Sequence, residues 1–218
     1  MMITAHGGSF NSGRNSNKYL NHTAIFEADA IEVDIYKMFD VLYISHWPAP
    51  FTFYKKIRLR EVFKLVKETG LKVNCDLKTH GIISDVIKLA KSMGVENQLI
   101  FTGCVSEEDS KIIDCGEAWF NHIKGIKYKA KNARALKERI DSYDNPHFVG
   151  INLNYHRVNA KFIEACQAVG LKLSVFTVDD IEALLRLVPV INGNITTNLP
   201  LVARSILNKM RNSNDKKE

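Results

Sequence analysis

The sequence predicts a single (β/α)₈ barrel, and three observations predict it. Short β-rich runs alternate with longer segments of helical periodicity through eight beats, glycines punctuate the junctions, and ionisable residues gather late in the first strands. A chain of 218 residues suits one domain with a large core, and at 45% hydrophobic and 25% charged it has an ordinary globular composition.

Strands are predicted over residues 3–8, 30–36, 72–78, 98–103, 118–123, 148–154, 172–178 and 194–198. Helices are predicted over 17–27, 59–69, 82–93, 107–115, 130–142, 159–169, 180–187 and 199–210. Ala, Leu, Lys and Glu are common there, and apolar residues recur at three- and four-residue steps. Gly70, Gly94, Gly116 and Gly170 each stand between a helix and the next strand, where a left-handed C-cap is wanted. Ser106 and Asp179 stand where N-caps belong. Residues 41–46 read as an extra extended piece after the second strand, leading into a turn at 48–50. The alternation implies a parallel sheet with crossover helices. An open doubly wound sheet is the competing arrangement, but no GxGxxG follows the first strand. The barrel usually takes about 250 residues, so the loops here must be short. The domain is expected over 1–212, with a polar tail over 213–218.

No apolar run reaches the roughly 18 residues that span a bilayer, and the N-terminus lacks a basic start with a long apolar stretch. A cytoplasmic protein without a membrane span is the expectation. Cys75, Cys104, Cys115 and Cys166 are scattered without a CxxC pair and read as reduced residues, with no His arranged to activate one. The formal charge is +6, but the basic residues are dispersed among acids and densest over 204–217. Such charge attracts anionic substrates. Without a clustered basic and aromatic stripe, nucleic acid is not the expected partner.

Strands of a parallel barrel are buried on both faces and should be apolar, so charged residues late in a strand mark the catalytic end. The first strand runs into His6. The second carries Glu32 and Asp34 at i and i+2, hence on one side. His46 ends the extended piece, and the third strand finishes Asp76-Leu77-Lys78. Like charges in an interior need compensation, which a hard cation supplies, with Asp76 as a third carboxylate. Lys78 can instead satisfy them as an ion pair. Beside an acidic cluster, His6 and His46 become candidates for acid–base work. Thr102, Asn121, His122, Asn152, Asn154 and His156, late in strands four to six, are secondary pocket candidates.

Taken in order, these motifs resemble the glycerophosphodiester phosphodiesterase family. They are Ala5-His6-Gly7-Gly8, Glu32-Val33-Asp34, His46, Asp76-Leu77-Lys78, Val175-Phe176-Thr177-Val178-Asp179 and Thr196-Thr197-Asn198-Leu199-Pro200, spread over nearly the whole chain. The resemblance implies an enzyme that cleaves small-molecule glycerophosphodiesters to glycerol 3-phosphate and an alcohol. It implies one divalent cation, Mg²⁺ or Ca²⁺, on Glu32, Asp34 and Asp76. It further implies His6 and His46 as base and acid, Lys78 near the phosphate, and Phe176 on an apolar wall where the family has Trp.

Several positions depart from the family pattern. Gly7 stands for the Arg after the first His, and Arg14-Asn15-Ser16 stands for Glu-Asn-Thr. Arg14 either returns the lost guanidinium to the phosphate from another direction or lies on a surface loop. Asp76 stands for Glu, and Trp47 for the Asp after the second His. The insertion that follows is cut down to residues around 48–56, whose Phe51, Phe53 and Tyr54 either touch the substrate or cap the barrel. The competing reading is a degenerate barrel that binds a phosphorylated ligand without turnover. A metal-free phospholipase C-like site would not need three carboxylates.

Overall fold

In the computed structural model, which describes residues 1–214, all eight predicted strands are present and mutually parallel. They are β1 (Met2–Ala5), β2 (Ala30–Met38), β4 (Lys72–Leu77), β5 (Leu99–Gly103), β6 (Glu117–Phe120), β7 (Phe148–Asn154), β8 (Lys172–Phe176) and β9 (Asn194–Thr197). β1 pairs with β9 on one side and with β2 on the other, which closes the barrel. The extended piece after the second strand is β3 (Val41–Ile44), folded back antiparallel on β2 as a hairpin. Its two-residue turn holds Phe39 at φ 52. Gly or Asn is usual there, and a bulky residue costs about 1–2 kcal/mol.

The crossover helices are α1 (Asn17–Leu20), α2 (Leu59–Thr69), α3 (Ile83–Met93), α4 (Ala133–Asp141), α5 (Ala160–Ala168), α6 (Ile181–Leu187) and α7 (Pro200–Asn214). α2 shows why they form: Leu59, Val62, Phe63 and Val66 fall on one stripe and are buried against the sheet. Gly70, Gly94 and Gly170 follow α2, α3 and α5 at positive φ, as expected of helix exits.

Four local expectations are corrected. The helix predicted over 17–27 breaks after α1, because His22 adopts an extended conformation and its Nδ1 accepts from the Ala24 N–H, starting a separate 3₁₀ turn over Thr23–Glu27. The helix predicted over 107–115 is only a 3₁₀ turn, Glu108–Lys111. There the buried Asp109 carboxylate accepts from both the N–H and the hydroxyl of Ser106, a local alternative to helical bonding. Gly116 therefore follows a loop, not a helix. The N-cap of α6 is Asp180, whose Oδ1 accepts from the Ala183 N–H, and Asp179 is directed elsewhere. α7 continues to Asn214, so the tail predicted from 213 begins inside a helix, and residues 215–218 lie outside the described residues.

The barrel interior is more polar than a parallel sheet leads one to expect. Thr4, Asn74, Thr102, Asn152, Ser174, Asn194 and Thr196 are all buried. They satisfy one another: Thr4 donates to Asn194, Asn194 to Ser174 and Thr196, Ser174 to Asn152, Asn152 to Asn121, and Thr102 to Asn74. Each bond contributes only about 1 kcal/mol net, but an orphaned partner would cost about 1–3 kcal/mol, so the chain of bonds holds the interior in one arrangement.

At the end of β5, Gly103 sits at φ +78 with no room for a side chain, since a Cβ would run into the Leu77 backbone and the Asp76 carboxylate. Gly103→Ala therefore combines a left-handed backbone with overpacking, and is expected to lower the unfolding free energy by about 3 kcal/mol. Urea denaturation measures this; an unchanged midpoint would contradict the packing described.

Candidate active site

The ends of β1, β2, β3 and β4 carry the ionisable groups. In the β2–β4 register Asp34 lies directly opposite Asp76, and Glu32 opposite Asn74. One oxygen from each of Glu32, Asp34 and Asp76 lies within 4.8 Å of the others. Glu32 and Asp34 are each only 4% exposed.

What surrounds these carboxylates is compensation. The Gly7 N–H donates to Glu32 Oε2 at 2.7 Å, and a Cβ on Gly7 would approach that oxygen to 3.1 Å. Asn15, held at φ 51, brackets Asp34: its Nδ2 donates to Oδ2 at 2.7 Å, and its Oδ1 accepts the Asp34 N–H at 3.0 Å. Tyr19 ties β1 to β2, donating to the Ala5 carbonyl and accepting from the Glu32 N–H. Lys78 Nζ bridges Asp34 Oδ1 at 2.6 Å and Asp76 Oδ2 at 2.5 Å.

One ammonium for three carboxylates leaves the balance uneven. Burial pushes the Glu32 carboxyl well above the usual carboxylate range, reinforced by Asp34 and Asp76. Burial pushes Asp34 the same way, but its bonds to Lys78, Asn15 and His46 outweigh it and hold the group low. Lys78 is pulled down by burial and raised on balance by Asp76 and Asp34. The donor set suits a hard divalent cation: three carboxylates, at a spacing that oxygens about 2.3–2.6 Å from one ion can have, with no Lys or Arg paired directly to Glu32 among the described residues.

The two predicted histidines follow β1 and β3, both of which pair with β2. His6 Nδ1 lies 2.9 Å from Asn198 Oδ1, and Asn198 is itself fixed by Asp179, which accepts from its Nδ2 at 2.6 Å and from its N–H at 2.7 Å. The Asn198 oxygen is thereby turned toward His6, so Nδ1 carries the hydrogen and Nε2, 3.9 Å from Glu32 Oε2, is left as a base. Burial lowers the His6 pKa, which keeps the ring neutral near pH 7. His46 Nδ1 lies 3.1 Å from Asp34 Oδ2, and Arg14 Nη1 lies 2.6 Å from its Nε2.

A cavity of about 430 Å³ brings these groups together, lined by His6, Arg14, Glu32, Asp34, His46, Asp76, Lys78 and Phe176, so every residue singled out in the sequence for the site faces it. Of the secondary candidates Thr102, Asn121, Asn152, Asn154 and His156 line it, and His122 does not. Arg14 is exposed, yet it lines the cavity and its guanidinium reaches the second histidine. Sequence reasoning missed the bracketing role of Asn15 and the Asp179–Asn198 pair. An Asn at a left-handed position was the available signal for the first. The cysteines take no part; all four are free, and burial raises the Cys115 thiol to about 11 and the Cys166 thiol to about 12.

The fold and site thus define a closed parallel barrel with an acidic, two-histidine pocket at the C-terminal ends of its strands. No family model matches the chain, and no curated protein does. Many solved structures that share its fold are glycerophosphodiester phosphodiesterases. One from Parabacteroides distasonis aligns with TM-score 0.75 at 19% identity over 96% of this chain and 98% of its own. Another, from Agrobacterium tumefaciens, gives 0.70 at 16% over 94% and 98%. A phosphodiesterase from Oleispira antarctica, solved with the product sn-glycerol-3-phosphate, gives 0.74 at 16% over 95% and 97%. At these identities the likeness is one of fold.

If the carboxylates hold a cation, Mg²⁺ or Ca²⁺ at a hundred times its Kd should add about 2.7 kcal/mol to stability. Thermal denaturation would read this as a rise of roughly 5–10 °C. Glu32→Gln and Asp76→Asn should each remove most of the rise; an equal rise in both variants would place the ion elsewhere.

Proposed function

We propose that the protein is a metal-dependent phosphoric diester hydrolase that cleaves glycerophosphodiesters to glycerol 3-phosphate and an alcohol. The observation that carries this reading is the convergence of three carboxylates and two imidazoles on one cavity. The fold it shares with glycerophosphodiester phosphodiesterases supports it.

Glu32, Asp34 and Asp76 would hold one Mg²⁺ or Ca²⁺. That ion supplies Lewis-acid polarisation of the phosphoryl oxygens. His6, neutral and with Nε2 free, takes the proton of the attacking hydroxyl. His46 returns a proton to the departing alkoxide, its ring oriented by the bond from Nδ1 to Asp34. Lys78 and Arg14 supply positive charge for the phosphate, and a phosphate in the cavity draws Arg14 off His46 Nε2 and frees that nitrogen. Asn121, Asn152, Asn154 and Thr102 offer amide and hydroxyl partners for the glycerol hydroxyls, and Phe176 an apolar wall. Four free thiols, three of them buried, suit a reducing compartment, in keeping with a cytoplasmic location.

One contact favours the second reading, a barrel that binds a phosphorylated ligand without turnover: Arg14 sits on the nitrogen from which His46 would donate. Release of glycerol 3-phosphate from glycerophosphocholine or glycerophosphoethanolamine separates the two. Activity should require Mg²⁺ or Ca²⁺ and disappear with chelator, and His6→Ala and His46→Ala should each cut kcat by about 10²–10⁴. Turnover that survives chelation or both substitutions would refute the mechanism. Metal binding with no diester of a broad panel cleaved would establish the second reading.

Arg14→Ala tests the role given to that guanidinium. As a phosphate ligand it should raise KM by about tenfold or more, the loss of one charge-assisted contact of about 1.5–3 kcal/mol. A higher kcat at unchanged KM would show that Arg14 blocks His46 instead.

A further inference from the structure

The hairpin β2–β3 and the loop after it, at the same barrel end as the cavity, expose more aromatic surface than the fold needs. Phe39 is 78% exposed, Trp47 73%, Phe51 88% and Tyr54 58%. The exposure has supports beneath it. Buried Tyr43 carries Phe53 at a ring distance of 6.1 Å, and Phe53 carries Phe39 at 6.0 Å and Tyr54 at 6.1 Å. The Tyr43 hydroxyl accepts from the Ala49 N–H, tying the loop to the hairpin. Trp47 stands edge-on to His46 at 4.8 Å, so this surface begins at the rim of the site. Phe39 keeps its place despite a left-handed backbone that Gly or Asn would adopt with less strain.

The charge around these rings is one-sided. Between residues 37 and 60 the only acid is Asp40, against Lys37, Lys55, Lys56, Arg58 and Arg60. Lys37 is paired with Asp85, whereas the other four make no ion pair among the described residues. Lys55 lies over the Tyr54 ring and Arg58 over Phe53.

From this combination we infer that the protein docks on anionic phospholipid bilayers through Phe39, Trp47, Phe51 and Tyr54, with Lys55 and Lys56 among the headgroups. Trp and Tyr partition to the membrane interface, and basic side chains near an anionic surface add attraction. A stacking platform for single-stranded nucleic acid would set its rings in a groove, whereas these project from a hairpin and loop. Docking brings the rim of the cavity, at His46, against the headgroup layer. It does not depend on turnover.

The two tryptophans make the test direct, because Trp47 is exposed and Trp119 is buried. The intact protein is mixed with phosphatidylglycerol–phosphatidylcholine vesicles, or with phosphatidylcholine vesicles alone, at about 0.1 M and about 1 M salt, over which the screening length falls from about 10 Å to 3 Å. Expected are co-sedimentation with the anionic vesicles, weakening at high salt, and a blue shift of Trp emission that Trp47→Phe abolishes. Phe51→Ser with Tyr54→Ser should remove the binding while leaving the melting temperature in place. Lys55→Gln and Lys56→Gln should weaken it about fivefold each.

No sedimentation with anionic vesicles overturns the inference, as does binding in which neither Trp47 emission nor the Phe51 and Tyr54 substitutions matter. Tight binding of a single-stranded oligonucleotide in place of vesicles, or self-association lost in the same variants, assigns the surface to that other occupant and also overturns it. Turnover of soluble glycerophosphocholine is read in the same samples. Docking with no diester of the panel cleaved sinks the proposed activity alone, and turnover without docking sinks the docking alone.

Discussion

The β2–β4 register sets Asp34 against Asp76 with Glu32 two residues below, and the site is built around that concentration of negative charge. A barrel interior makes such a cluster expensive, since each carboxylate loses water that little replaces. The protein answers with a backbone N–H at Glu32, an amide on both sides of Asp34, and one ammonium shared by Asp34 and Asp76. These answers fall short at Glu32, whose raised pKa records the deficit. Three carboxylates with one oxygen each within 4.8 Å of the others could hold a cation, which would offset that deficit.

Two departures from the family pattern make sense jointly. With Gly7 in place of Arg, the backbone after His6 comes close enough to donate to Glu32. With Arg14 in place of Glu, a guanidinium returns to the same cavity from the loop after β1 and meets His46. One cation leaves the first position and another arrives at the second, while an acid is lost. The pocket is therefore less negative than the resemblance implies, and an anionic ligand would meet less repulsion there.

Much of this was legible because it depends on periodicity. The eight strands, the extended piece after the second and the inward i, i+2 carboxylates follow from alternation, and the ionisable residues first singled out for the site line the cavity, whereas the secondary candidate His122 does not. What escaped depends on side chains bonding to backbone far away or out of register. Asp109 turns back on Ser106 and spoils a helix whose composition favours one. Asp179, next to the true cap Asp180, serves Asn198 instead. Neighbouring acids look interchangeable in a sequence, and only the strand end decides which one caps. The basic and aromatic concentration over residues 37–60 stands in the sequence but drew no reading there. Its cations are ordinary in number, and that four of the five make no ion pair among the described residues appears only in three dimensions.

The bond between His6 and Asn198 joins residues 192 apart in sequence. Thr4 and Asn194, 190 apart, make a second such tie, and Arg204 reaches back to Asp29 as a third. The tautomer of the first histidine is thus not fixed until β9 has joined the sheet, and a chain that lacks β9 lacks the seam that closes the barrel. Long-range closure of this kind is slow to form. The pocket is therefore assembled only once β9 docks beside β1 and brings Asn198 to His6.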